Sequence, residues 1–203
     1  MRVIIFSWEY PPRVVGKLAN YVKELTFQLA KSEVETFLVT YHDYLTGEFE
    51  EEGVKVYRVT NPVKIHISVL TWVLTLNQEV ERAAANIYYK NGEQVDLIDV
   101  QDWHFIPAAV TLKKALSIPF VYSVESLEDH RSHGVNLPFN MAIKSIEWLG
   151  MYEANIILVK SYWMASEVAR IYNVPEAKVK IVNPEAKNWF KCLLKVYRGL
   201  KEA

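Results

Sequence analysis

Apolar residues fall into two alternating patterns along this chain: short continuous runs, and longer stretches that repeat every three to four positions. Arg2-Val-Ile-Ile-Phe-Ser7 is a run of strand length rich in β-branched residues. The loop Trp8–Gly16 follows, and Leu18, Val22, Leu25, Leu29 and Ala30 then share one face of a helix over 17–31. The unit repeats. Val34–Thr40 and Val54–Val59 read as strands, with the polar, acidic stretch Tyr41–Gly53 between them as a mobile connection. Val69, Val73, Leu76, Val80, Ala83 and Ile87 mark a long helix that stops at Asn91-Gly92. Val95–Val100 is a fourth strand, 105–116 a helix with Pro107 in its first turn, and Ile118–Val124 a fifth strand. Pro138 opens a helix with Phe139, Ile143, Ile146 and Gly150 in register. Ala154–Val159 is a sixth strand, and Ser161 caps a helix carrying Met164, Val168 and Ile171. Lys178–Val182 is a seventh strand, and Asn188–Leu200 is a last amphipathic segment facing inward through Trp189, Leu193, Val196 or Tyr197, and Leu200.

Strands alternating with helices predict an α/β fold: a Rossmann-like, doubly wound, mostly parallel sheet of six or seven strands with helices on both faces. Such sheets bind ligands at the carboxyl ends of their strands, where helix N-termini present free N–H groups.

The net charge of −1 removes bulk basicity as a reason to expect nucleic acid. One cysteine, Cys192, excludes an intramolecular disulfide and a cysteine-based zinc site. No apolar run approaches membrane-spanning length, and Val3–Phe6 is too short for a secretory signal. The expectation is a soluble, cytoplasmic protein with neither nucleic acid nor membrane as partner.

Three loops on the ligand edge carry candidate chemistry. Gly16 and Lys17 precede a helix, where a glycine lets the backbone approach an anion. Their spacing fits neither the Walker A pattern nor G-x-G-x-x-G, and a plain turn into a helix accounts for it equally. In Asp99-Val-Gln-Asp-Trp-His104, Asp102 either caps the next helix or projects into a cleft walled by Trp103. Glu125–His133 is dense in carboxylates and imidazoles, open to a metal, substrate-contact or solvated-loop reading. Glu9 and Arg13 can face the same cleft, and G-x-S-x-G is absent.

With these loops assembled, the chain resembles the amino-terminal domain of retaining glycosyltransferases of the glycogen and starch synthase type, and more closely the archaeal glycogen-synthase-like members. The carrying stretches are Phe6–Gly16, Asp96–His104, Ser126–Gly134 and Ile146–Met164, in order along residues 1–184. The resemblance implies a GT-B architecture, two Rossmann-like domains with the active site between them. The first domain would hold the α-glucan acceptor. The nucleotide sugar, ADP- or UDP-glucose, would be shared with a carboxyl-terminal domain absent from this chain. No metal and no separate cofactor is implied. The turn at Val15-Gly16-Lys17 would meet the donor phosphates, and position 101, usually histidine, would lie beside the transferred sugar. Glu128, His130 and His133 would lie on the acceptor side, with Glu9, Arg13, Asp102, Trp103 and His104 lining the substrate cleft.

The sequence departs from the family at Lys17, where a second glycine is usual, at Gln101, and at Tyr162, where an acidic residue is expected. A side chain at 17 hinders backbone approach to phosphate, and an amide at 101 can bond a hydroxyl but cannot act as an imidazole. After Ile181-Val-Asn-Pro184 the second domain is expected. Residues 185–203 instead read as a terminal amphipathic helix packing on domain 1–184, similar to the helix that returns to the first domain in full-length enzymes. The expected function is the acceptor half of a glucosyltransferase, inactive alone. The alternatives are a stand-alone carbohydrate-binding module, with Trp8, Trp103 and Tyr122 as stacking candidates, and a protein-docking module.

Overall fold

The computed structural model describes residues 1–202. Strands β1 (Arg2–Ser7), β2 (Glu35–Tyr41), β3 (Gly47–Glu51), β4 (Val54–Val59), β5 (Leu97–Gln101), β6 (Phe120–Ser123), β7 (Ile156–Val159) and β8 (Val179–Ile181) form one sheet. They are ordered β3-β4-β2-β1-β5-β6-β7-β8. All neighbours are parallel except β3 and β4. Helices α1 (Lys17–Lys31), α2 (Val69–Lys90), α3 (Ile106–Leu116), α4 (Glu128–Arg131), α5 (Pro138–Glu153), α6 (Tyr162–Tyr172) and α7 (Trp189–Lys201) connect and cover the strands. The chain winds outward from β1 in one direction, then restarts at β5 and winds in the other. The crevice between the carboxyl ends of β1 and β5 is therefore the topological switch point.

Side chains alternate across the central strands and build a core on each face. Ile4, Phe6, Ile98, Val100 and Tyr122 pack towards α2, α3 and α5. Val3, Ile5, Leu97 and Val121 pack towards α1 and α7, where Leu193, Leu194 and Tyr197 are buried against them. Three large side chains of α7 thus leave water. At about 1.5–3 kcal/mol for each well-buried one, they hold that helix to the sheet.

Two expectations are corrected. The stretch Tyr41–Gly53 is not a mobile connection: it contains β3, paired antiparallel to β4 with Phe49 opposite Val56, so the sheet has eight strands. β3 is an exposed edge of mostly polar residues, so it carries no apolar alternation. Its charges are tied down, Glu51 to Arg58 at 2.6 Å and Glu48 to Lys90 at 2.7 Å. The Glu125–Leu137 loop is interrupted by the single turn α4.

Candidate functional site

The switch-point crevice opens into a cavity of about 390 Å³, with Trp8 on one side and Asp102, Trp103 and His104 on the other. Ser126, Glu128 and Arg131 form its far wall, and Val69, Phe139 and Ile143 its apolar rim. A groove of about 350 Å³ between β3–β4 and α2 is lined by charges already in ion pairs, Glu79 with Arg82, Arg58 with Glu51 and Glu48 with Lys90.

His104 is clasped between two indoles. Its ring stacks on Trp8 at 4.7 Å and 19°, and on Trp103 at 4.4 Å and 26°. Burial pushes its pKa down to about 3, helped by the positive fields of Arg131 and Arg13, so the imidazole is neutral near pH 7. Burial lifts Asp102 to about 7, with Arg131 pulling the other way. The 3.8 Å separation of His104 Nδ1 and Asp102 Oδ2 is therefore no ion pair at neutral pH. Asp102 Oδ1 and His104 Nδ1 have no hydrogen-bond partner among the described residues. A hydroxyl, which donates and accepts, suits both.

Asp102 does not cap the following helix. Its φ is 67° and ψ 180°, and its side chain makes no capping bond. Its N–H instead donates to the Ser123 carbonyl at 2.8 Å. An L-residue in this region stores about 1–3 kcal/mol of strain. The bond across to β6 and the stacked Trp103-His104 turn hold it there.

Arg131 and two carboxylates close the far wall. Arg131 donates to Glu128 at 2.9 Å and to Glu147 at 2.6 Å, and Glu147 also accepts from the Glu128 N–H at 2.8 Å. Asn140 takes the other Glu128 oxygen at 2.7 Å. Burial would lower the Arg131 pKa, but Glu147 and Asp102 outweigh it and raise it. The cation is thus spent internally. Sequence reasoning missed both Arg131 and Glu147. The available signal was Glu147 itself, a charge one turn beyond Ile143 on the stripe that α5 buries.

The remaining candidates lie elsewhere. Glu9 is buried and its Oε2 accepts from the N–H groups of Val15 at 2.6 Å and Gly16 at 2.7 Å. It thereby caps α1, which Gly16 cannot do with a side chain. Lys17 is exposed beside them. Arg13 bonds Asp43 at 3.1 Å and the Trp8 carbonyl at 3.2 Å, with its guanidinium 5.1 Å from the Trp8 ring centre. Gln101 is fully buried on the α1–α7 side, both amide atoms unpartnered among the described residues. His130 turns from the cavity to Glu167 at 2.8 Å, and His133 is exposed in the turn after α4. Tyr122, a stacking candidate, is fully buried in the core behind the cavity and presents no ring face to a ligand. Trp103 is 4% exposed, with His104 stacked on its ring and the Arg131 guanidinium 5.7 Å from its centre. Among the described residues no group of three His, Cys, Asp or Glu side chains clusters as a metal site, and no helix is long and apolar enough to cross a membrane.

The sheet order and the switch-point cavity define a doubly wound, Rossmann-like domain with its ligand crevice between β1 and β5. Residues 18–184 match Glycosyltransferase Family 4, and the chain belongs to that family. It is 34% identical over 192 residues to an uncharacterised glycosyltransferase of Methanocaldococcus jannaschii, covering 93% of this chain and 47% of that one. It is 22% identical over 197 residues to the glycogen synthase of Mycobacterium tuberculosis, covering 90% and 47%. The chain spans about half the length of these curated relatives. Among solved structures, sucrose-phosphate synthase from Thermosynechococcus elongatus aligns with TM-score 0.72 at 15% identity. It covers 98% of this chain and 99% of that one. The catalytic domain of starch synthase IV from Arabidopsis thaliana, bound to ADP and acarbose, aligns with TM-score 0.55 at 16% identity, covering 98% and 50%.

Proposed function

We propose that this chain is the acceptor-binding half of a retaining glucosyltransferase, which moves glucose from ADP- or UDP-glucose to the end of an α-1,4-glucan. The observation that carries the reading is the charge balance of the cavity. Arg131 is held by Glu128 and Glu147, and among the described residues no other cation lines the walls. A phosphorylated acceptor would find no free positive charge, whereas a neutral sugar would find Asp102, His104 and Glu128 for its hydroxyls and the apolar rim of Val69, Phe139 and Ile143 for its C–H face. The starch synthase bound to acarbose supports a glucan-like acceptor. α7, packed on the sheet through Leu193, Leu194 and Tyr197, is read as the counterpart of a return helix.

Transfer needs the leaving nucleoside diphosphate stabilised by positioned donors and cations. On this chain the N–H groups of Val15 and Gly16 are already bonded to Glu9. The isolated 203-residue chain is therefore expected to bind glucan without turnover. The occupied loop equally favours a second reading, a carbohydrate-binding module without catalysis. The test incubates the chain with ADP-glucose or UDP-glucose and maltohexaose, following tryptophan fluorescence and nucleotide release. Quenching by maltohexaose without nucleotide release is expected. Release by the chain alone contradicts the half-enzyme reading, and absence of quenching contradicts the acceptor site.

A further inference from the structure

A second aromatic surface stands on the same sheet edge, outside the cavity. Ser161 caps α6 by accepting from the Met164 N–H at 3.1 Å, and this puts Tyr162 and Trp163 in the first turn, 82% and 60% exposed. Trp163 is exposed yet fixed. Its ring packs against the His130 imidazole, centroids 4.9 Å apart and planes 30° apart. His130 is in turn held by Glu167 at 2.8 Å, and Glu167 accepts two bonds from Arg170 at 2.9 and 2.7 Å. Asp129, beside His130, is tied to Lys144 at 2.8 Å. A rigid indole with its surface in water and a polar rim suits a pyranose, whose C–H face covers the ring while its hydroxyls meet imidazole and carboxylate. Little order is lost on binding, because the platform is already fixed.

The single turn α4 separates this platform from the cavity. Glu128 and Arg131 line the cavity, whereas His130 backs the Trp163 ring. A helix with its side chains is about 10 Å across, so one sugar ring cannot touch both.

We infer that Trp163 forms an outer acceptor subsite, and that the ligand is a linear oligosaccharide of several units with its end in the cavity and its body crossing α4 onto the indole. This rests on the acceptor reading above. It makes chain length the property that this protein selects.

The test compares maltose and maltohexaose by calorimetric titration of the wild-type chain, Trp163→Ala and Trp163→Phe, with thermal unfolding as a control for folding. Wild type is expected to prefer maltohexaose. Trp163→Ala is expected to lose about tenfold in maltohexaose affinity and none for maltose, and Trp163→Phe to keep most of both. Unchanged maltohexaose affinity in Trp163→Ala overturns the subsite while leaving the cavity reading intact. An equal loss for both sugars overturns it as well. Failure of the wild type to bind either sugar overturns the acceptor reading, and the subsite with it.

Discussion

The Glu9 carboxylate lies 2.7 Å from the backbone N–H of Gly16 and accepts its hydrogen bond, as it does from Val15 at 2.6 Å. The chain thereby supplies its own anion to a helix N-terminus, where the partial positive charge of α1 would otherwise face an incoming phosphate. Replacing the carboxylate by an amide of the same size removes the competing charge and leaves only a weaker, neutral acceptor. Glu9→Gln is expected to bind ADP-glucose about tenfold more tightly than the wild type, measured by calorimetry. Glu9→Ala also removes the cap and is expected to lower stability by about 1–2 kcal/mol in urea. Equal donor affinity in wild type and Glu9→Gln contradicts the competition.

The anchoring of α7 is tested at Tyr197. Its hydroxyl donates to the fully buried Asp99, which also accepts from the Ser123 hydroxyl at 2.7 Å. Burial lifts Asp99 to about 6, and the bonds from Tyr197 and Ser123 work against that rise. Tyr197→Phe leaves a buried carboxylate short of a donor. It is expected to cost about 1–3 kcal/mol, more at pH 8, where Asp99 is ionised, than at pH 5. Asp99→Asn in the Tyr197→Phe background is expected to recover part of the loss. A pH-independent cost contradicts the assigned role.

Acid dependence follows from Asp102 and His104. Asp102 is raised in the fold to about 7 from 3.8, so the folded state binds the extra proton between these values. Its contribution is complete below pH 3.8 and is lost as pH rises through 7. His104 is lowered to about 3 from 6.5, so its contribution is present above 6.5 and lost as pH falls towards 3. The two oppose each other in mildly acidic solution. Asp102→Asn removes one of them, so its stability relative to wild type is expected to rise from pH 4 to pH 7 and then level off. Urea unfolding at stepped pH reads this directly, and a flat difference contradicts the burial of the Asp102 carboxyl.

Packing behind the cavity is tested at Gly150. A Cβ there would lie 2.8 Å from Ile106 Cδ1 and 3.0 Å from Tyr122 Cδ1. Gly150→Ala gains helix propensity but overfills the contact between α5 and the sheet. A net loss of about 1–3 kcal/mol is expected in thermal or urea unfolding.

The strands and helices that bury a periodic face were legible in the sequence: β1, α1 and α2 follow from the spacing of Val, Ile and Leu alone. β3 was not, because an exposed edge strand obeys pairing rather than burial. At the site, Trp8, Asp102, Trp103, His104 and Glu128 stand together around one cavity, each from a loop at a strand's carboxyl end. Glu147 and Arg131 escaped because their pairing joins α4 to a residue sixteen positions later on α5, a contact that no local pattern announces. The backbone inversion at Asp102 escaped for a different reason. Aspartate at a strand–helix junction ordinarily signals a cap, and only the bond to the Ser123 carbonyl reveals another conformation.

The most direct test of the central claim is a calorimetric titration of maltohexaose into the wild-type chain and into Trp8→Ala, side by side. Trp8 lines the cavity and stacks on His104 without belonging to the deep core. The account predicts saturable binding to the wild type and a loss of about tenfold or more in Trp8→Ala. Binding of equal strength to both proteins would place the glucan elsewhere and contradict the switch-point cavity as the acceptor site.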